Sequence, residues 1–509
     1  MSIELTKTDI GTAEVLYDNF AEQGIDCDIS LPDYCPDIMR ILRCSVTNSI
    51  TNSKISGDRA TVDGNAKIRI VYADDKNGIY CYEQDYPFSK FSELPQTYDG
   101  AVLCSSAKTE YANCRAVSKK RIDIHGVVSI RFKIVGIKNE SVITDAEGDG
   151  IQLRKKKIGT DSVAAVVMKK FQLSQTEEAD GGEIGKIFYA CASPVLSETK
   201  IIKGKILLKG EAVLKVMYCS ATGENESVCV NYNLPFSEII DIESIDDSYK
   251  VSVGFNVDQV QAEPKTDNDG EYKYLNLGCD ICAVVTAYKT EDICVITDSY
   301  STQKEIDAKY KTETFTQILQ NLNDSIICRE SVDLSSMNPQ RIYAAIAQSP
   351  EAKSRFDADK MTVTGKIPLK FILIDGEGTP TFCEREAEFE YSRSIDAKGG
   401  NLHCDPKLFL TGYSCTLTSD GRAEFKSEMN ISADITETSE CRTLVSLKTM
   451  ENSELKKRHS SLVICFCNGG EKIWDIARKY NTTVEDIMSE NELTSDEIGE
   501  KMMLMIPVK

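Results

Sequence analysis

Apolar and polar residues alternate with a period of two through most of this chain. In AKIRIVY, Ala66, Ile68, Ile70 and Tyr72 fall on one side and Lys67 and Arg69 on the other. Further on, Val128, Ile130, Phe132 and Ile134 alternate with Ser129, Arg131 and Lys133. This period marks strands with one buried face. Comparable runs are YKYLNLGCDICAVVTAY from Tyr272 and AEFKSEMNISADI from Ala423. The turn clusters DDKNG before Ile79, SATGE around Gly223 and DGEG before Thr379 fit hairpin loops. Helix is expected near PDIMRIL (36–42) and over TFTQILQNL around Ile318.

The pattern repeats three times. RIL at Arg40, VDGNAKIRIVY at Val62 and YPFS at Tyr86 are matched by KIF at Lys186, LKGEAVLKVMY at Leu208 and LPFS at Leu234. A third set is RIY at Arg341, VTGKIPLKFIL at Val363 and AEFE at Ala387. The basic residue that opens each set precedes its glycine (Gly64, Gly210, Gly365) by 24 residues every time. Periods of 146 and 155 residues between these glycines make each unit domain-sized rather than a solenoid repeat. Three tandem, sandwich-like all-β domains follow, over 1–158, 159–308 and 309–450, then a linker over 451–461.

The last stretch, 462–509, changes period. From Glu471 a helix would align Ile473, Ile476, Ala477 and Tyr480, with Asn481 as its stop. Thr483 would cap a second helix carrying Val484, Ile487 and Met488, with Asp486 at its third position. Apolar strands, Val463 to Phe466 and Met503 to Ile506, flank the pair, giving a small βααβ domain.

Composition narrows the function. The 59 basic and 80 acidic side chains give a net charge of −21, which repels nucleic acid and anionic bilayers. The chain start lacks the features of a signal peptide, and no run approaches the roughly 20 apolar residues of a membrane span, so a cytosolic chain without membrane insertion is expected. The 19 cysteines are odd in number, and Cys219, Cys294 and Cys465 sit in apolar runs, so reduced thiols acting as small buried hydrophobes are expected.

The segment NGGEKIWDIARKYNTTVEDI, with SENEL, DEI and LMIP after it, resembles a LysM module over 463–507. ISLPDYCPDIMRIL (29–42), with the VDG strand and YPFS, resembles the first SPOCS domain of clostridial spore-coat morphogenetic proteins. Three SPOCS-like units and one LysM form the architecture of the SipL type. The second and third units lack LPDYCPDI, and the third has AEFE in place of PFS. The resemblance implies a non-catalytic scaffold in the mother-cell cytoplasm, at the forespore surface or spore coat, whose LysM binds a SpoIVA-type spore-coat morphogenetic ATPase. Possible further partners are other coat proteins. The alternative is a wall protein binding peptidoglycan or N-acetylglucosamine.

Glycan-binding LysM modules carry Gly-Asp-Thr or Gly-Asp-Ser and Pro-Gly-Gln in the two loops that hold sugar, where this chain has Gly470-Glu471-Lys472 and Glu500-Lys501-Met502. Side chains replace the small residues that let backbone approach sugar. A protein ligand is therefore expected, on a surface of Glu471, Lys472, Trp474, Met488, Lys501 and Met502.

Other motifs carry less. GGEIGKI (181–187) has three residues, not the four of a phosphate loop, between Gly181 and Gly185. CDIC (279–282) has metal-ligand spacing but lies in an apolar strand. Asp33, Cys35 and Asp37 could hold a hard cation, although Pro32 and Pro36 favour a stiff turn with an aspartate leading into a helix. His125, His403 and His459 are scattered, so no catalytic set can be assembled and neither an enzyme nor a cofactor is expected.

Overall fold

The computed structural model describes residues 3–180, 182–220, 227–357, 359–395, 401–454 and 462–507. The first unit holds β1 (Glu4–Ser30), β2 (Arg40–Ser56), β3 (Arg59–Ala73), β4 (Ile79–Glu93), β5 (Val102–Ala116) and β6 (Arg121–Glu147). Its two antiparallel sheets have the orders β1-β6-β5 and β2-β3-β4. Their inner faces, with Ile124, Ile130 and Phe132 on one and Val62, Ile68 and Ile70 on the other, form one core.

The second unit repeats this order with β7 (Ile151–Glu178), β8 (Ile184–Ile202), β9 (Lys205–Ser220), β10 (Ser227–Asp241), β11 (Lys250–Thr266) and β12 (Tyr272–Ser301), in sheets β7-β12-β11 and β8-β9-β10. In the third, two of the six positions are split into shorter strands. β13 (Lys304–Asp333) pairs β20 (Arg422–Glu454), which also pairs β18 (Asn401–Cys404) and β19 (Lys407–Leu417). β16 (Lys360–Asp375) lies between β17 (Pro380–Ser394) on one edge and β14 (Pro339–Ala347) with β15 (Glu351–Asp357) on the other. Because β7 runs unbroken from Ile151 and β13 from Lys304, the cuts expected at 158/159 and 308/309 fall inside strands, and the turns between units lie near Gly148–Gly150 and Thr302.

The repeated glycines have a common cause. Each stands on the middle strand opposite a phenylalanine: Gly64 with Phe88, Gly210 with Phe236, Gly365 with Phe389. A Cβ on any of them would overlap that ring and a carbonyl of the other neighbouring strand, at Ser49, Val195 and Glu351 respectively. Phe389 belongs to AEFE, so the third unit keeps the packing while losing the PFS spelling.

The spacing of 24 has a second cause. At Leu42, Phe188 and Tyr343, the third residues of RIL, KIF and RIY, the strand register skips one residue. Such a bulge re-aims its side chain. All three side chains enter one core shared by the three units, with Val71, Met217 and Ile372 from the middle strands. Polar contacts close the ring: Arg69 Nη1 donates to Phe188 O at 3.0 Å, Lys215 Nζ lies 3.3 Å from the Tyr413 ring centre, and Arg40 Nη1 donates to Pro380 O at 3.1 Å. A second shared core joins Ile10 and Val142, Ile158 and Val295, and Phe315 and Cys441 from the long strands.

Neither helix expected in this region forms. PDIMRIL runs into β2 and TFTQILQNL lies inside β13. The bulge at 318/320 shifts the alternation by one, so Phe315 and Leu322, seven apart, are both buried. That spacing imitates a helical face. The Asp74 and Asp375 carboxylates accept backbone N–H bonds inside the DDKNG and DGEG turns. SATGE lies mostly outside the described residues.

The terminal module follows its expected order: β21 (Leu462–Cys467), α1 (Ile473–Tyr480), α2 (Val484–Glu490) and β22 (Met502–Pro507). Asn481 ends α1 in the left-handed conformation, and Thr483 Oγ1 accepts from Asp486 N at 3.0 Å. β21 and β22 pair antiparallel.

Candidate functional site

The chemistry weighed from the sequence is placed as follows. Cys279 and Cys282 are buried on opposite faces of β12, one in the core of the second unit, so they cannot share an ion. Burial pushes both thiols up to about 12, which keeps them protonated. Between the Asp33 and Cys35 carbonyls sits the Lys120 ammonium, which also pairs with Asp37 at 3.5 Å, so that turn already holds its cation. It leads into a strand rather than a helix. Ile184 to Lys186 open β8, unlike the loop-to-helix junction of a phosphate loop, while Gly181 lies outside the described residues. His125 is exposed between Asp26 at 2.7 Å and Asp123 at 3.2 Å, which raise its pKa. His403 is exposed on β18, and His459 lies outside the described residues. Of the three cysteines expected to be buried, Cys219 and Cys465 are half-buried and Cys294 faces solvent. Among the described residues no group of three metal-ligating side chains converges, and no helix is long and apolar enough to cross a membrane.

The terminal module offers two unlike faces. On the helix side Trp474 is only 7% exposed. Its Nε1 donates to Asp298 Oδ2 of β12 at 2.9 Å, and Arg478 Nη1, one turn along α1, reaches the same oxygen at 2.7 Å. Tyr300 packs edge-on against Trp474 with ring centres 4.9 Å apart and donates its hydroxyl to Thr482 O at 2.8 Å. Burial, followed by the carboxylates of Glu485, Asp298 and Asp486, raises the Tyr300 pKa and keeps the phenol a donor.

The opposite face is the outer side of the β21–β22 sheet. Ile464 pairs with Met505, Phe466 with Met503 and Leu462 with Pro507. Alternation places Cys467, Leu504 and Ile506 in the core and leaves these partners outside. Phe466 is 74% exposed, Ile464 56% and Met503 54%. A continuous apolar patch on so small a module is the mark of an interaction site.

The loop before α1 is bonded to the segment 496–498, which precedes Glu500-Lys501-Met502. Gly470 N donates to Ile498 O at 2.7 Å, Ile498 N to Glu471 O at 3.0 Å and Ile473 N to Asp496 O at 2.8 Å. A Cβ on Gly469 would press on Gly499 O at 2.9 Å. These backbone groups already have partners.

The six residues nominated from the sequence do not form one open surface. Trp474 is buried against β12, and Met488 and Met502 pack half-buried on the module's core. Glu471, Lys472 and Lys501 are exposed on the two loops, with Asn468 Nδ2 holding Glu471 Oε1 at 3.2 Å. Sequence reasoning missed Ile464, Phe466, Met503 and Met505. The signal was available: in LVICFC and MMLMIP both alternating sets are apolar, which a two-stranded sheet with one covered face does not need.

Comparison with known families gives two matches. The family model of the SipL SPOCS domain matches residues 37–117 and 183–265, within the first and second units. The LysM model matches residues 470–507. No curated protein and no solved structure matches the chain.

Proposed function

We propose that this chain, a SipL-like protein with SPOCS and LysM domains, is a non-catalytic scaffold of spore-envelope assembly. SPOCS and LysM are binding domains rather than catalytic ones. In this reading the SPOCS units pack together in the mother-cell cytoplasm, and the LysM module docks the SpoIVA-type coat ATPase at the forespore surface. The observation that carries it is the apolar outer face of the β21–β22 sheet, with Phe466 and Met503 at its centre. Aromatic and methionine side chains are favoured anchors between proteins. The first loop favours protein over glycan, because Gly470 N and Glu471 O, backbone groups beside the sugar groove, are already bonded to Ile498. Titration of the full chain with the ATPase, beside sedimentation with insoluble peptidoglycan, tests the proposal. Saturable binding to the ATPase and none to the wall is expected. The reverse outcome would establish the wall-glycan reading.

A further inference from the structure

We infer that the LysM module is latched onto the second SPOCS unit by an Asp298–Tyr300 socket, and that this latch sets the direction in which the Phe466 face points. The inference concerns the chain alone and does not depend on the identity of any partner. Four features converge on two body residues. Asp298 is oriented from behind: its Oδ1 accepts the Ser299 backbone N–H at 3.0 Å, leaving Oδ2 for Trp474 and Arg478. Ser299 is in turn bound to Tyr310 of the third unit, with 2.7 Å between the hydroxyl oxygens, which ties the end of β12 to β13. The two donors lie four residues apart on α1, the spacing that puts side chains on one helical face. Arg478 makes a charge-assisted bond to a carboxylate whose side chain is only 15% exposed, where such bonds are strong. Tyr300 then seals the site with its ring against Trp474 and its hydroxyl on Thr482 O.

The sequence nominates Trp474 as a partner contact, yet its ring and its N–H are both already engaged within the chain. Partner binding on the outer sheet face therefore needs no release of the latch, and Trp474 becomes its reporter. It is the one tryptophan in 509 residues, so the emission of the whole chain reads this contact. The experiment compares emission and acrylamide quenching of the full chain with those of Tyr300→Ala, Asp298→Ala and Tyr300→Phe. The alanine variants are expected to shift emission to longer wavelength and to raise quenching several-fold. Tyr300→Phe should show a smaller change, since it loses only the bond to Thr482. Emission and quenching like those of the unaltered chain in both alanine variants overturns the inference. Hydrogen exchange separates release from unfolding. Release raises exchange in α1 and at residues 298–301 while the β21–β22 amides stay protected. Loss of protection in β21–β22 as well overturns the latch, because Asp298 and Tyr300 would then be part of the module's own core.

Discussion

The helix side and the sheet side of the LysM module carry similar apolar chemistry and meet different fates. Trp474 is covered by Tyr300 and its N–H by Asp298, whereas Phe466 and Met503 have no such cover. Aromatic content alone thus identifies a contact surface without saying whose contact it is. Coverage decides: the covered side meets its own chain, and the open side faces solvent.

Replacing the covered anchor should have the largest effect. Trp474→Ala removes a buried indole and is expected to lower the module's stability by about 3–5 kcal/mol, seen by calorimetry as a transition separating from, and preceding, that of the three β units. The open anchor should act on binding instead. Phe466→Asp is expected to weaken the proposed complex with the coat ATPase by about 2–4 kcal/mol, measured by titration, with Trp474 emission unchanged. A change in emission would show that the two sides are not independent.

A related contrast, between ion-paired cations and one without a carboxylate partner among the described residues, recurs in the body. Arg69 and Lys370 occupy equivalent positions on the middle strands and pair with Glu83 at 2.5 Å and Glu384 at 3.0 Å. Their counterpart Lys215 faces Asn231 across the strand pair and lies under Tyr413. Burial pushes its amine down to about 8. A lowered amine pKa means that the unfolded chain binds more protons between about 8 and 10.5, so stability rises with pH across that window and the burial penalty is in full force below it. Lys215→Met is expected to stabilise the chain by on the order of 2 kcal/mol near pH 7, with the gain disappearing by about pH 10.5. Denaturant titrations at several pH values measure this. Smallest of all should be Lys472→Glu on the exposed loop, expected to weaken the proposed ATPase complex by less than about 1 kcal/mol.

Much of this fold was readable from alternation and spacing. The strands, the order of the LysM elements, the Asn481 stop and the Thr483 cap stand where the pattern put them. The SPOCS and LysM resemblance is matched by the family comparison in the first two units and at the C-terminus. The helix expected over TFTQILQNL failed because the bulge at 318/320 adds a residue to the period of two, and apolar residues seven apart then look helical, whereas PDIMRIL is a loop that enters β2 at Arg40. Closure of the three units around a shared core was also written in the chain but unread. In each middle strand the alternation gives way to continuous apolar residues, IVYA at 70–73, VMYC at 216–219 and FILI at 371–374. A strand apolar on both faces is covered on both faces. The latch was not legible, because no pattern says which of 80 acidic residues will meet the tryptophan.

The most direct test is hydrogen exchange of the full chain with and without the SpoIVA-type ATPase, read across 462–507. The account predicts new protection in β21 and β22 and none in the loops at 468–472 and 496–501. Unchanged exchange in β21 and β22, with those loops protected by chitin oligomers instead, would contradict it.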